Sequence, residues 1–136
     1  MSHVSANDLP SQLRYFSLQS CGVVSTADLS RLQNLQVVNF RHNFLTEVPM
    51  DLPKKLEKLV LSYNVIKDIK ADSFNTTEMG KLTQLYLDNN LLEHLSFSLP
   101  NNVEVANFFN NKIEYVVYIV FDGNKKLKVL DLSNNR

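Results

Sequence analysis

The sequence is poor in several things that particular functions require. Cys21 is the only cysteine among 136 residues, so no internal disulfide can form. A lone thiol is compatible with a reducing compartment without demanding one. Glycine occurs only at positions 22, 80 and 123, which argues against a glycine-rich loop cradling phosphate, and tryptophan is absent. No apolar run approaches the roughly 18 residues of a membrane span. The opening Met-Ser-His-Val-Ser-Ala-Asn-Asp lacks the charged-then-apolar order of a signal peptide. Charge of one sign is also missing: 14 Lys and Arg are balanced by 14 Asp and Glu. That balance argues against a nucleic-acid or anionic-membrane binder, whose affinity comes largely from excess cations. The length, with 44% apolar residues, suits one small domain or part of a larger one.

Internal repetition dominates what remains. Leu82, Leu85, Leu87, Asn90, Leu92 and Leu95 follow the spacing L-x-x-L-x-L-x-x-N-x-L-x-x-L. The same frame reads Leu35, Val38, Phe40, Asn43, Leu45, Val48 and then Leu56, Leu59, Leu61, Asn64, Ile66, Ile69. It returns as Val103, Ala106, Phe108, Asn111, Ile113, Val116 and as Leu127, Leu130, Leu132, Asn135. The first copy, Leu13, Phe16, Leu18, Cys21, Val23, carries cysteine where the others carry asparagine. Starts at 13, 35, 56, 82, 103 and 127 give periods of about 21 to 26 residues.

The fourth and sixth frame positions lie two apart and so share one face of a strand, while the third, fifth and seventh share the other. A single such strand cannot bury its apolar face, but stacked coils make a parallel sheet with a continuous core behind it. The column Asn43, Asn64, Asn90, Asn111 and Asn135 ends each strand, where an amide can satisfy backbone groups of neighbouring coils. Cys21 stands in that column and reads as a buried structural thiol.

The intervals between frames alternate. Short ones contain Leu9-Pro10, Leu52-Pro53 and Leu99-Pro100; longer ones run from Ala27, Ala71 and Val120. Proline cannot continue a helix, so the short intervals should cross in extended form, whereas the long ones have room for a 3₁₀ turn with Leu29, Phe74 and Phe121 inward. The expected fold is an α/β solenoid: a curved array with a parallel concave sheet of about six short strands and an irregular or 3₁₀ convex side.

These motifs resemble the leucine-rich repeat family over nearly the whole chain. The long-and-short alternation is similar to extracellular arrays of leucine-rich receptors, Toll-like or receptor-kinase-like, and of small proteoglycan-like proteins. Residues 1–136 read as one segment, and both ends look cut from a longer array, which predicts self-association if the segment stands alone. What the resemblance implies is a protein-recognition module using the concave face, within a receptor-like ectodomain. The alternative is an intracellular scaffold or regulatory subunit beginning at Met1. The compartment stays open between those two: extracellular side of a membrane protein, or cytoplasm.

The frame also defines an outward surface. From it Arg41, His42, Tyr63, Tyr86, Asp88, Asn107, Phe109 and Asp131 are candidate partner-binding residues, with Tyr63, Tyr86 and Phe109 on neighbouring coils. Aromatic and arginine side chains of this kind make up binding hot spots, although exposed aromatics also serve as ordinary strand residues. The expected partner is a protein; neither nucleic acid nor direct membrane contact is expected, and no cofactor.

Catalysis finds little support. Cys21 and His42 suggest a thiol and its base, but the frame places them on opposite faces. His3, His42 and His94 have no metal-ligand spacing. Lysines at 54, 55, 58, 81, 125, 126 and 128 border strand starts with acids close by, as a solvated rim would. Asn75-Thr76-Thr77 is a candidate glycosylation acceptor in the longest interval.

Overall fold

The computed structural model describes residues 3–26 and 28–136; Ala27, which opens the first long interval, lies outside the described residues. Ten short strands occur in chain order: β1 (His3–Val4), β2 (Tyr15–Ser17), β3 (Ser25–Thr26), β4 (Val37–Asn39), β5 (Lys58–Val60), β6 (Gln84–Tyr86), β7 (His94–Leu95), β8 (Val105–Asn107), β9 (Tyr115–Val116) and β10 (Val129–Asp131). Six of them form one parallel sheet in the order β2-β4-β5-β6-β8-β10. The register keeps the frame: Phe16, Val38, Leu59, Leu85, Ala106 and Leu130 lie side by side across the sheet. A one-residue slip would turn this whole apolar column to solvent, so the pattern itself holds the pairing.

In β4, β5, β6 and β8 the middle residue is buried and both neighbours are half-buried, which is the period-two alternation expressed in single coils. The columns at frame positions one, four, six and eleven run together into a core from Val23 to Ile113. Leu130, on the edge strand β10, is 40% exposed, whereas its equivalents Val38 to Ala106 on the inner strands are sealed. Rings reinforce the core. Phe16 meets Phe40 edge-on at 5.7 Å, and Phe74 contacts Phe97, which in turn contacts Phe108.

The alternating intervals take different paths. Each Leu-Pro segment closes with the same turn, in which Leu13, Leu56 and Val103 donate their N–H to the carbonyls of Pro10, Pro53 and Pro100 at 3.2 Å. These segments therefore turn where extended crossings were expected, because the next strand must begin within a few residues. Of the long intervals, the last carries a 3₁₀ helix, Tyr118–Phe121, while Asp28 to Leu35 and Ala71 to Leu82 are crossed by turns. Leu29 and Phe74 point inward as the frame suggested, and Phe121 is partly buried against the core. Two further parallel pairs, β1 with β3 and β7 with β9, follow the bends, and the frame does not announce them.

Asparagine links the coils. The Asn64 amide donates to the carbonyls of Phe40 in the preceding coil and of Leu61 in its own, at 2.9 and 3.0 Å, and its oxygen accepts from Leu45 N–H at 2.9 Å. Asn90 repeats this with Leu61, Leu87 and Ile66, and Asn111 with Leu87, Phe108 and Leu92. Asn135 repeats it with Phe108, Leu132 and Ile113. Asn43 serves the cysteine-bearing coil, its oxygen accepting from both Cys21 and Val23 N–H. Replacing Asn64 or Asn90 by Leu strands several buried backbone groups at once and should cost about 2–3 kcal/mol of stability. Urea titration is the measurement, with exposed Gln33→Ala staying within about 0.5 kcal/mol of the parent.

Candidate functional site

The strand ends are bent in one repeated way. Ser20, His42, Tyr63, Asn89, Asn110 and Asn134, the eighth residues of their frames, all have φ between 55° and 61°. A left-handed residue here turns the chain out of the sheet so that the following asparagine can point inward. Its N–H donates to the seventh-position carbonyl of the next coil: His42 to Ser62, Tyr63 to Asp88, Asn89 to Phe109. Asparagine tolerates this conformation, as aspartate and histidine do in lesser degree, whereas most other L-residues lose roughly 1–2 kcal/mol in it. The column accordingly divides. Asn89, Asn110 and Asn134 form an amide ladder, with Nδ2 of Asn110 donating to Asn89 Oδ1 at 2.7 Å and Nδ2 of Asn134 to Asn110 Oδ1 at 3.2 Å. His42 and Tyr63 occupy the same backbone geometry with larger side chains, of which the tyrosine is the less suited.

Those two residues form the centre of the densest exposed cluster. The His42 and Tyr63 rings stack with centroids 4.3 Å apart, and the Arg41 guanidinium lies 4.5 Å from the Tyr63 centroid. Phe44, 59% exposed, and Val65 complete a shallow depression with His42, Tyr63 and Asn89 at the rim of the concave face. Such a stack holds the cation in place and contributes about 0.5–1 kcal/mol. Phe44 and Val65 escaped notice in the sequence because they stand at the tenth frame position, beyond the strand. The signal was present, since Phe44, Val65 and Leu91 are apolar at that place in three successive coils.

The other sequence candidates are placed apart from this cluster. Tyr63, Tyr86 and Phe109 make no ring contact with one another among the described residues. Tyr86 instead lies under Lys58, whose Nζ is 5.5 Å from its centroid, and donates its hydroxyl to Gln84. Phe109 is exposed two coils from Tyr63. Asp88 is drawn inward: at 8% exposure it accepts from the Ser62 hydroxyl at 2.5 Å and from the Asn89 amide at 3.0 Å. It supports the bend and offers little surface.

Asn107 and Asp131 use a side-chain oxygen to accept the N–H two residues on, at Phe109 and Ser133, as Asn39 does for Arg41. The Ser133 hydroxyl, then its N–H, hold the Asp131 carboxyl below its ordinary range. Cys21 is half-buried rather than sealed, with its thiol donating to the carbonyl of Gln19, two residues back. Among the described residues no cluster of His, Cys, Asp or Glu could hold a metal. On the opposite side, the exposed Asn75 accepts from the Thr77 hydroxyl at 2.7 Å and from its N–H, leaving its Nδ2 unengaged. A further group on the flank joins three successive coils: His94 Nε2 lies 3.2 Å from Asp68 Oδ1 and its ring stacks on Tyr115 at 5.3 Å.

Comparison with known proteins gives related findings. A family model described as "Leucine rich repeat" matches residues 33–92. Lumican of Coturnix japonica is 33% identical over 130 residues, covering 79% of this chain and 38% of its own length. Osteomodulin of Rattus norvegicus is 30% identical over 131 residues, covering 79% of this chain and 31% of its own. The chain thus spans about a third of the length of these curated relatives. Among solved structures, YopM from Yersinia enterocolitica superposes with a TM-score of 0.79 at 25% identity, over 99% of this chain and 27% of that one.

The bend column yields a test of backbone preference. Tyr63→Asn and Tyr63→Ala both remove the ring and its contacts, but only Asn suits the left-handed backbone. The Asn variant should be the more stable of the two by about 0.5–1 kcal/mol in urea titration. Equal stabilities would show that this bend imposes no strain on an ordinary side chain.

Proposed function

The chain belongs to the leucine-rich repeat family, and from that premise we propose that it is a protein-recognition module that binds through its concave face and rim, within a receptor-like ectodomain. The observation that carries this reading is the Arg41, His42, Phe44 and Tyr63 cluster. His42, Tyr63 and Arg41 hold one another by stacking just past the ends of β4 and β5, with exposed Phe44 beside them, and two of the three rings sit on left-handed backbone. Rigid aromatic and arginine side chains lose little entropy on contact and supply most of the energy in protein interfaces. Large residues persisting where asparagine fits better is the pattern expected when stability is traded for recognition. Tyr86 with Lys58, and Phe109 beyond them, extend the surface across the middle of the sheet, with Asn107 and Asp131 toward β10. The chemistry of these columns is that of a binding surface, and the reading assigns no catalytic role to any of them.

The placement in an ectodomain rests on the long-and-short alternation and on Asn75. That residue projects from the convex side with its amide nitrogen free, so a glycan there would stand clear of the concave face. The second reading, an intracellular scaffold or regulatory subunit, draws on Cys21, an unpaired and only half-buried thiol.

Two measurements check these statements. A photoreactive phenylalanine at position 63 or 86 of the chain should cross-link a native protein partner, while the same group at convex Gln33 should not. Equal labelling from Gln33 would overturn concave recognition. Mass mapping of native material should find Asn75 glycosylated, with peptide-N-glycosidase leaving Asn75→Asp; an unmodified Asn75 in all copies would favour the intracellular reading.

A further inference from the structure

We propose that the rim cluster takes an extended acidic peptide segment, with a carboxylate set against the Arg41 guanidinium and a neighbouring apolar side chain laid over Phe44 and Tyr63. This rests on the recognition reading above and names the chemistry of its partner.

The argument starts from what Arg41 lacks. Among the described residues its guanidinium makes no ion pair and no side-chain hydrogen bond, although the chain holds as many acids as bases. The other arginines with assigned contacts are engaged: Arg31 donates to the carbonyls of Ala6 and Asn7, and Arg136 pairs with Glu114. Asp88, the acid one coil past Tyr63, is buried and occupied by Ser62 and Asn89, so it does not neutralise the cluster. Arg41 is therefore an open planar cation, already held by stacking on Tyr63 and bearing donors in the fork geometry that a carboxylate accepts. The stack removes part of the ordering cost that a free arginine would pay on binding.

The surroundings select a peptide over a polyanion. The concave columns present only two fixed cations, Arg41 and Lys58, in adjacent coils, and Lys58 is likewise without an ion pair, resting on Tyr86. Two cations are too few for a sulfated polysaccharide, whose affinity grows with the number of counterions released. Exposed Tyr63 and Phe44 beside Arg41, and half-buried Tyr86 beside Lys58, instead suit a chain that alternates acidic and apolar side chains. Lys58 pairs with Val37 at the start of β4, whereas Arg41 follows the end of that strand, about 13 Å further along, so the segment would run lengthwise over β4 and β5 with one carboxylate on Arg41 and a second, several residues away, on Lys58.

The test titrates the isotope-labelled full chain by NMR with three probes: a Glu-Leu-Glu-Leu-Glu peptide, a Lys-Leu-Lys-Leu-Lys peptide and a heparin hexasaccharide. The inference expects amide shifts at residues 41–44 and 63–65 with the glutamate peptide alone, weakening as salt is raised. Arg41→Gln should lower that affinity about five- to tenfold, whereas Lys67→Gln, exposed and outside the cluster, should leave it unchanged. Tighter binding of heparin at these residues, or equal binding of both peptides, overturns the inference and leaves concave recognition standing. Shifts confined to other concave residues such as 84–88 and 107–109 do the same. Shifts on the convex side alone, or with none of the probes, overturn the inference, and convex shifts alone overturn the recognition reading with it.

Discussion

Everything in this structure hangs on a buried amide repeated once per coil. Each strand in the large sheet is only three residues long and offers too few hydrogen bonds to hold its neighbour by itself. The asparagine just past it supplies the missing connection, donating to the preceding coil and to its own while accepting from a third backbone group. A carboxylate could not donate and a hydroxyl has one proton, so the amide alone satisfies this set. Removing water from these groups makes the ladder costly to break, which is why a solenoid with so little regular strand stays ordered.

Turning an asparagine inward obliges the residue before it to adopt a left-handed backbone, and that residue consequently points out at the rim of the concave face. The same bend that closes the core thus generates a surface column. Where the column carries Asn89, Asn110 and Asn134 it is at ease and ties coil to coil on the outside as well. Where it carries Tyr63 the backbone preference is opposed, and the ring is compensated by stacking on His42 and under Arg41. The bend that closes the core and the exposed ring stack draw on one position, and the two halves of the column fill it differently.

The two sides of the solenoid obey different constraints. On the sheet side, register is held by the in-line pairing of Val38, Leu59, Leu85 and Ala106, so outward side chains fall at regular intervals and form a surface of fixed shape. On the other side the intervals change length, and turns at Pro10, Pro53 and Pro100 alternate with looser crossings, with two 3₁₀ helices among the described residues, Ala6–Asp8 and Tyr118–Phe121. That side can vary without disturbing the sheet.

The repeat, its six strands, the inward columns and the role of Asn43 through Asn135 were all legible in the sequence, because periodicity reports directly which side chains face the core. Frame position also marked Arg41, His42, Tyr63 and Tyr86 as outward. It did not show that Asp88 is drawn under Ser62, that Asn107 and Asp131 cap the turn after them, or that Phe44 and Val65 join the rim. Nor did it show the flank group of Asp68, His94 and Tyr115 or the two small strand pairs. Apart from the caps at Asn107 and Asp131, which are bonds to the residue two on, these depend on contacts between coils some twenty residues apart, where side-chain direction is decided by the bend and by the neighbour's shape. Burial follows from a local pattern that one coil already displays; the grouping of surface residues into a site exists only once the coils are stacked, and so tertiary structure alone could decide it.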